Sequence, residues 1–532
     1  MRRAPVTQKA ALRAFPGMLV AAFFLPCGHH RAHAAEPFMP SRENPPALAR
    51  EFRGAWVATV YNLDWPSSAG LPTSRQQSEL VRLMDRAADL KLNAIIFQVR
   101  PGCDALYKSN LEPWSQWLSG RMGRGPEPEY DPLEMAVRLA HERGIELHAW
   151  FNPFRAMPNR QHPACATHVS RARPEFTRRY GQYLWLDPGD PLVRDYSLRV
   201  ILDVVRRYDI DGVHLDDYFY PYPVKAGKGG QLPFPDDATW EKYRALGGKL
   251  GRSEWRRASV DEFVQRLQAD IRKAKPWVKF GISPFGIWRP GYPSSVHADI
   301  DSYEDLAADS RRWLAQGWVD YLSPQLYWSI DAPKQSFSAL LDWWLAQNPQ
   351  NHHVWPGVAC DRIGKSRPAS EIIRQISLVR KKSPPTSIGH IQWDIKPLLE
   401  DRRGIAGLLK DQTFADRAVI PASPWLAGSQ PGTPRLQSSE DASGIRLKWT
   451  LDKDRSSAWQ WAVQSCRNGR WETRVHPSFT DTAFWKKGSA LPDVVAVTAI
   501  NRSGRAGPPA VVERISAPVT SAMATPKLRA MP

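Results

Sequence analysis

Asp190-Pro191-Leu192-Val193-Arg194 opens a helical stretch that runs to Tyr208, and Ile210-Asp211-Gly212-Val213-His214-Leu215-Asp216-Asp217-Tyr218 follows it directly. Aspartate as cap and proline in the first turn are helix-start signals. The second stretch alternates apolar residues with Gly, His and Asp, which predicts a strand. Alternation sends Val213 and Leu215 to one face, toward helices, and points His214 and Asp216 the other way. A capped helix feeding a short strand whose end carries two carboxylates is the unit from which the rest of the chain is read.

The unit recurs. Seven further strand candidates lie at Ala55–Val60, Ala94–Val99, Ile145–Phe151, Val278–Ser283, Val319–Tyr327, His353–Ala359 and Ile388–Trp393. Between them, Asp131-Pro132 opens a helix that closes at Arg143-Gly144, and Leu80, Leu83, Met84 and Ala87 recur at helical spacing. Eight such units over residues 51–420 predict a (β/α)8 barrel, an α/β TIM barrel with inserted loops. A doubly wound sheet is the structural alternative. After Pro421 the helical period vanishes. Ile445–Trp449, Trp459–Val463, Trp471–Val475 and Val494–Ile500 alternate between turn-rich loops, as in a small all-β sandwich over 421–515.

The first residues form a different class. Arg2, Arg3, Lys9 and Arg13 precede the apolar tract Phe15–Leu25 and the exit Ala32-His33-Ala34, so residues 1–34 read as a secretory signal peptide. Residues 35–50 are expected to be a linker and 516–532 a disordered tail. Pro26 before Cys27 makes a poor lipidation motif. Export to the periplasm or cell envelope, with secretion as a further destination, follows as an expectation. No C-x-x-C pair exists among the cysteines, which argues against a zinc ribbon or redox motif. No apolar run is long enough for a spanning helix.

The formal charge of +18 falls to +13 without the five basic residues before Ala34. Such an excess attracts anionic polymers, and 23 Trp suit stacking on sugar rings. No Lys/Arg-rich recognition segment accompanies them, so nucleic acid is not the expected partner.

In a barrel the reactive groups sit at the C-terminal strand ends. There the sequence offers Asp216 and Asp217 as catalytic carboxylates for glycoside hydrolysis, beside Tyr218, Tyr220 and Tyr222. Neighbours on a strand point oppositely, so Asp217 acts only if the strand has already ended. Glu304 is the other candidate acid, although Ser302 and Asp305 around it resemble a capping box. Substrate-binding candidates at the other strand ends are Arg53, Trp56, Asn62, Gln98, Arg100, His148, Trp150, Asn152, His214, Tyr218, Gln325, Tyr327, Trp328, Gln392 and Trp393. Arg53, Arg100 and Arg155 together are expected to hold a carboxylate of the glycan. No cofactor or metal is called for.

Arg53-Gly54-Ala55-Trp56, Gln98-Val99-Arg100-Pro101, the Asp211–Tyr222 segment, Gly281–Arg289 and Pro324–Trp328 together resemble the glycosyl-hydrolase-like family ten. The resemblance spans most of Glu51–Leu409. It implies a bacterial envelope glycosidase acting on peptidoglycan glycan strands stripped of their peptides. The Val494–Gly504 run and Leu447-Lys448-Trp449 resemble a fibronectin type III module. The family-ten xylanases are distinct, because their paired glutamates on strands four and seven have no equivalent in these motifs. The strand-four motif of α-amylase-like enzymes would make Asp216 the nucleophile. Family-18 chitinases need a catalytic Glu where this chain has Tyr218, which argues against transferring their mechanism. Two other readings remain open at this point: a metal-dependent amino-sugar deacetylase using His148, His214, Asp216 and His390, and a glycan-binding protein without activity.

Overall fold

The computed structural model describes residues 37–159, 163–227, 229–451 and 458–515. The readings of 1–34 as a signal peptide and 516–532 as a disordered tail lie outside the described residues.

Eight parallel strand positions form the barrel. They are β1 (Phe52–Val57), β2 (Ala94–Arg100), β3 (Glu146–Phe151), β4 (Gly212–Leu215), β5 (Lys279–Ile282), β6 (Tyr321–Leu322), β7 and β8 (Gly389–Trp393). Strand β7 is split into His353–Val354, which pairs with β6, and Gly357–Ala359, which pairs with β8. The break falls at Pro356, which has no N–H to give to a ladder. The ring therefore closes through continuous chain.

Outside it lie α1 (Thr73–Asp89), α2 (Pro132–His141), α3 (Pro191–Arg207), α4 (Arg252–Ala274), α5 (Ser310–Ala315), α6 (Phe337–Ala346) and α7 (Ala369–Lys382). Asp131 and Asp190 cap α2 and α3 as expected, accepting from the backbone N–H groups of Leu133 and Leu192. Val213 and Leu215 join the layer between sheet and helices, together with Leu80, Leu83 and Met84 of α1.

The barrel interior is aromatic: Phe52, Trp56, Trp150, Tyr321 and Trp355 are buried there. Glycines on adjacent strands make room for these rings. A Cβ on Gly281 would lie 2.0 Å from the Tyr321 ring, and one on Gly212 would lie 2.4 Å from His148 Nδ1.

The C-terminal strands are β9 (Arg435–Asp441), β10 (Gly444–Thr450), β11 (Gln460–Arg467), β12 (Arg470–Pro477), β13 (Thr482–Lys486), β14 (Val494–Ile500) and β15 (Ala510–Arg514). They make two antiparallel sheets, β9-β10-β13 and β12-β11-β14-β15, consistent with the fibronectin type III-like reading. Leu447, Trp449, Trp461, Val463, Val495 and Val497 pack between them.

One expectation needs correction. Residues 35–50 are not a bare linker, because Phe38–Pro40 adds a strand to the β15 edge. Phe38 is buried against the Trp485 ring at 5.8 Å, and the open edge of β15 supplies the hydrogen bonds.

The sandwich covers the end of the barrel where the strands begin. Gln460 Nε2 donates to Gly144 O at 2.9 Å just before β3, and Arg502 binds Asp209 at 2.6 Å and Asp211 at 3.1 Å just before β4. Trp425 Nε1 donates to Asp320 ahead of β6 at 2.7 Å, and Ser423 Oγ meets His353 Nε2 at the start of β7 at 3.0 Å. In this architecture that end serves stability, which leaves the opposite mouth free for chemistry. Among the described residues no helix is long and apolar enough to cross a membrane.

Candidate active site

Strand β4 ends at Leu215, one residue before the acids. Asp216 Oδ1 accepts from the backbone N–H of Asp217 at 3.0 Å, so the chain is already turning there. Both carboxyl groups consequently reach the mouth. They are 7% and 4% exposed and hydrogen-bond each other.

Burial raises both acids, but unequally. Asp216 is drawn back toward its charged form by Asp217, by the Arg155 guanidinium, by the Asp217 N–H and by the nearby Trp150 indole N–H. Asp217 is pushed well above the carboxylate range by burial and then by the Asp216 charge. Its second oxygen accepts a short hydrogen bond from the Tyr222 hydroxyl. The surroundings therefore favour the proton on Asp217 and the charge on Asp216.

Other groups fix this pair. Gln325 Nε2 donates to Ser283 O at 3.0 Å and lies 3.4 Å from Asp216 Oδ1. Arg155 stacks over the Tyr218 ring at 4.6 Å. Half-buried aromatic rings line the opening. Trp393 lies 6.3 Å from Tyr327 in a stacked arrangement and edge-on to Trp56 and Trp150 at 6.1 and 6.0 Å. Trp328 meets Phe285 edge-on at 5.8 Å.

A second group of acids, Asp64, Asp361 and Asp394, follows strands β1, β7 and β8, and Tyr327 feels the charges of Asp361 and Asp394 as well as those of Asp216 and Asp217. Burial and the charge of Asp394 raise Asp64, and burial and the charge of Asp361 raise Asp394. Asp361 pairs with Arg362 at 3.4 Å. Asp361 and Tyr222 are the site residues that sequence reasoning underused. Acids immediately beyond strands seven and eight are the signal that marks the group.

Several expected binding residues lie elsewhere. Trp56 Nε1 donates to His214 Nε2 at 3.1 Å, and His214 Nδ1 and His148 Nδ1 each lie 2.9 Å from the Tyr321 hydroxyl. His148 Nε2 meets Glu146 at 3.0 Å, and Glu146 pairs with Lys279 at 2.7 Å. The indole can only donate, so His214 carries its proton on Nδ1, Tyr321 relays to His148, and His148 donates to Glu146. Both imidazoles thus belong to a buried polar chain along the barrel axis, below the mouth. Burial and His148 lower His214 far below the ordinary histidine range, so it stays neutral.

His390 sits at the other end of the barrel, stacked on Phe414 at 5.8 Å and influenced by Glu51. The four residues of the deacetylase reading are therefore not brought together, and the described residues contain no group of three or more His, Cys, Asp and Glu arranged to hold a metal.

The arginine cluster also dissolves. Arg53 pairs with Glu51 at 2.8 Å and packs over Phe414 at the strand-start end. Arg100 is fully buried, paired with Glu112 and bonded to the Asn152 and Pro153 carbonyls at 2.6 and 3.0 Å. Only Arg155 acts on the carboxylate pair.

Asn62 ties its loop to the Pro66 and Trp117 carbonyls at 3.0 and 2.7 Å. Gln98 accepts from the Thr59 and Val60 N–H groups at 3.0 and 2.9 Å, Asn152 donates to Pro101 O at 3.2 Å, and Gln392 accepts from Cys360 at 3.2 Å. Gln98 Nε2, Gln392 Nε2 and Asn152 Oδ1 are buried without partners among the described groups.

Glu304 is bound by Arg257 at 2.8 Å, with Arg289 at 3.8 Å, and is not among the leading influences on Asp216 or Asp217. Its helical turn is capped by Asp301 rather than by Ser302. A separate apolar cavity of about 420 Å³, walled by Tyr243, Leu246, Leu250 and Trp255, lies on the outer flank between α3 and α4 and holds no such carboxylate pair.

The model of the family described as "Glycosyl hydrolase-like 10" matches residues 51–371. The chain belongs to this family. The match covers the run from β1 to the start of α7, including the strand ends that carry Asp64, Asp216, Asp217 and Asp361. "Glycosyl hydrolase YngK" of Bacillus subtilis (strain 168) is 36% identical over 460 residues, covering 83% of this chain and 85% of the relative. "Glycosyl hydrolase DigH" of Escherichia coli (strain K12) is 34% identical over 354 residues, 61% of this chain and 78% of its own length. Among solved structures, the glycoside hydrolase domain of PgaB (BpsB) from Bordetella bronchiseptica superposes with a TM-score of 0.45 at 15% identity, covering 68% of this chain and 98% of that domain. Family membership supports a glycoside hydrolase-type function and a glycan substrate.

Proposed function

We propose that the protein is an exported glycosidase that cleaves O-glycosidic bonds in a cell-envelope glycan, with peptide-free peptidoglycan strands as the preferred polymer. The observation that carries this reading is the touching pair of buried acids at the end of β4, with Asp217 pushed further up than Asp216, under a wall of tryptophan and tyrosine rings. Asp217 is placed to protonate the leaving oxygen. Asp216 keeps the negative charge that favours an oxocarbenium-like carbon. Tyr327, Trp328 and Trp393 offer ring faces for pyranose stacking.

The basic, apolar start ending in Ala32-His33-Ala34 supports export to the periplasm or cell envelope. The fibronectin type III-like module would then hold the enzyme at its polymer. Arg155 is the remaining candidate for reading a glycan carboxylate.

The test is release of soluble fragments from purified peptide-free strands, followed by mass spectrometry, for the wild type and Asp216→Asn. Wild-type release with at least a 100-fold loss in the variant supports the reading. Binding of the strands without any release by the wild type would make the protein a glycan binder instead.

A further inference from the structure

The two acids are too close together for the usual divisions of labour between glycosidase carboxyls. A double displacement through an enzyme nucleophile needs its carboxyl groups about 5 Å apart, and single displacement by water needs about 6.5 to 9.5 Å, because in each case the two groups flank the scissile bond from opposite sides. Asp216 and Asp217 are consecutive, share a hydrogen bond and issue from the same strand end. They approach a sugar from one side.

The acids beyond Tyr327 do not complete the set. Burial and acidic neighbours raise Asp64 and Asp394, which weakens each as a nucleophile, and Asp361 is held by the neighbouring Arg362. A nucleophile carried by the substrate itself would need no acid on the far side. Beside Asp216 stands the Trp150 indole, 3% exposed, whose N–H acts on the Asp216 carboxylate. An apolar ring beside an anionic acceptor suits a planar amide, which has a methyl and an N–H to place.

We infer that the substrate supplies its own nucleophile: the enzyme cuts the glycosidic bond of a 2-acetamido-2-deoxy sugar, whose acetamido oxygen attacks C1 while Asp216 accepts the amide N–H and Asp217 protonates the departing oxygen. This rests on the glycosidase reading and specifies the residue on the cleaved side. In the first step the C1–O bond to the leaving sugar breaks, C1 bonds to the acetamido oxygen, and the proton of Asp217 goes to the leaving group. In the second, a water loses a proton to the Asp217 carboxylate and bonds to C1, the C1–acetamido oxygen bond breaks, and the amide keeps its N–H. The net reaction is hydrolysis with retention and requires no redox partner.

The experiment uses the wild-type protein on peptide-free glycan strands that have been de-N-acetylated and then re-acylated with acetyl, fluoroacetyl or difluoroacetyl groups. Fluorine withdraws electrons from the carbonyl, so kcat should fall at least tenfold with each added fluorine, and strands left with free amines should not be cut. Proton NMR of the first product should show the original anomer. Equal rates across the acyl series, cleavage at free-amine residues, or the inverted anomer would each overturn the inference while leaving a glycosidase. Failure to cut even the re-acetylated strands would remove the glycosidase reading together with it.

Discussion

At the scale of single residues, the division of labour proposed for Asp216 and Asp217 makes distinct predictions. Asp217→Asn should lower kcat on natural strands by about 100- to 10,000-fold, yet lose far less on an aryl glycoside whose leaving group needs no proton, as initial rates would reveal. The activity of the wild type should decline as pH rises through the apparent upper pKa of the pair, because the acid on Asp217 is then lost, and Asp217→Asn should remove that alkaline limb. A third carboxyl bears on stability rather than turnover. Burial pushes Asp104 up to about 7. Its folded-state pKa exceeds the unfolded value, so its favourable contribution is complete only below about pH 4 and is lost as pH rises to about 7. Asp104→Asn should therefore become progressively more stable than the wild type over that window, by about 2 to 4 kcal/mol in all, and then level off. Urea titrations at pH 5 and pH 8 measure the difference; an equal offset at both would refute it.

At the scale of elements, the barrel was legible because each strand carries its own punctuation and alternation. Val213 and Leu215 face the helices and His214 faces inward, as two-residue periodicity requires. Periodicity gives direction but not depth. Within β3, His148 and Trp150 both point inward, and two residues' rise separates a buried relay from the wall of the mouth. Tyr321, the relay's centre, reads in sequence as one more core aromatic, so nothing announced that the histidines already had a partner. Arg100 misleads for a related reason: it ends a strand, but Glu112 in the following loop folds back onto it. The expected sixth strand also shortens to Tyr321–Leu322, since Pro324 has no N–H to extend the ladder. Removing the relay's hydroxyl tests its place in the core. Tyr321→Phe leaves two buried imidazole nitrogens unpaired and should cost about 3 kcal/mol in unfolding free energy. Glu304→Gln breaks only a half-exposed ion pair and should leave kcat unchanged.

At the scale of the whole molecule, the sandwich is bound to the barrel rather than strung from it. Cutting after Ile420 would strip Arg502 from Asp211, Trp425 from Asp320 and Ser423 from His353, leaving buried polar groups one partner short at the starts of three strands. The truncated barrel should be insoluble or melt far below the intact chain. The milder Arg502→Ala should cost about 2 kcal/mol, less than a fully buried pair because Asp211 keeps His141 at 2.9 Å. Thermal unfolding of both variants checks this, and a soluble, unshifted truncation would show the contact to be idle. The strand Phe38–Pro40 adds a geometric consequence. It lies antiparallel to β15, with Phe38 opposite Arg514, so the chain enters and leaves the described structure side by side on the sandwich. The mouth that carries Asp216 and Asp217 opens at the opposite end of the barrel from the sandwich. Anything attached ahead of Phe38 or beyond Ile515, whether a tether, a resin or a second protein, would grip the molecule from behind and aim the cleft away from the point of attachment, like a lamp held by its base.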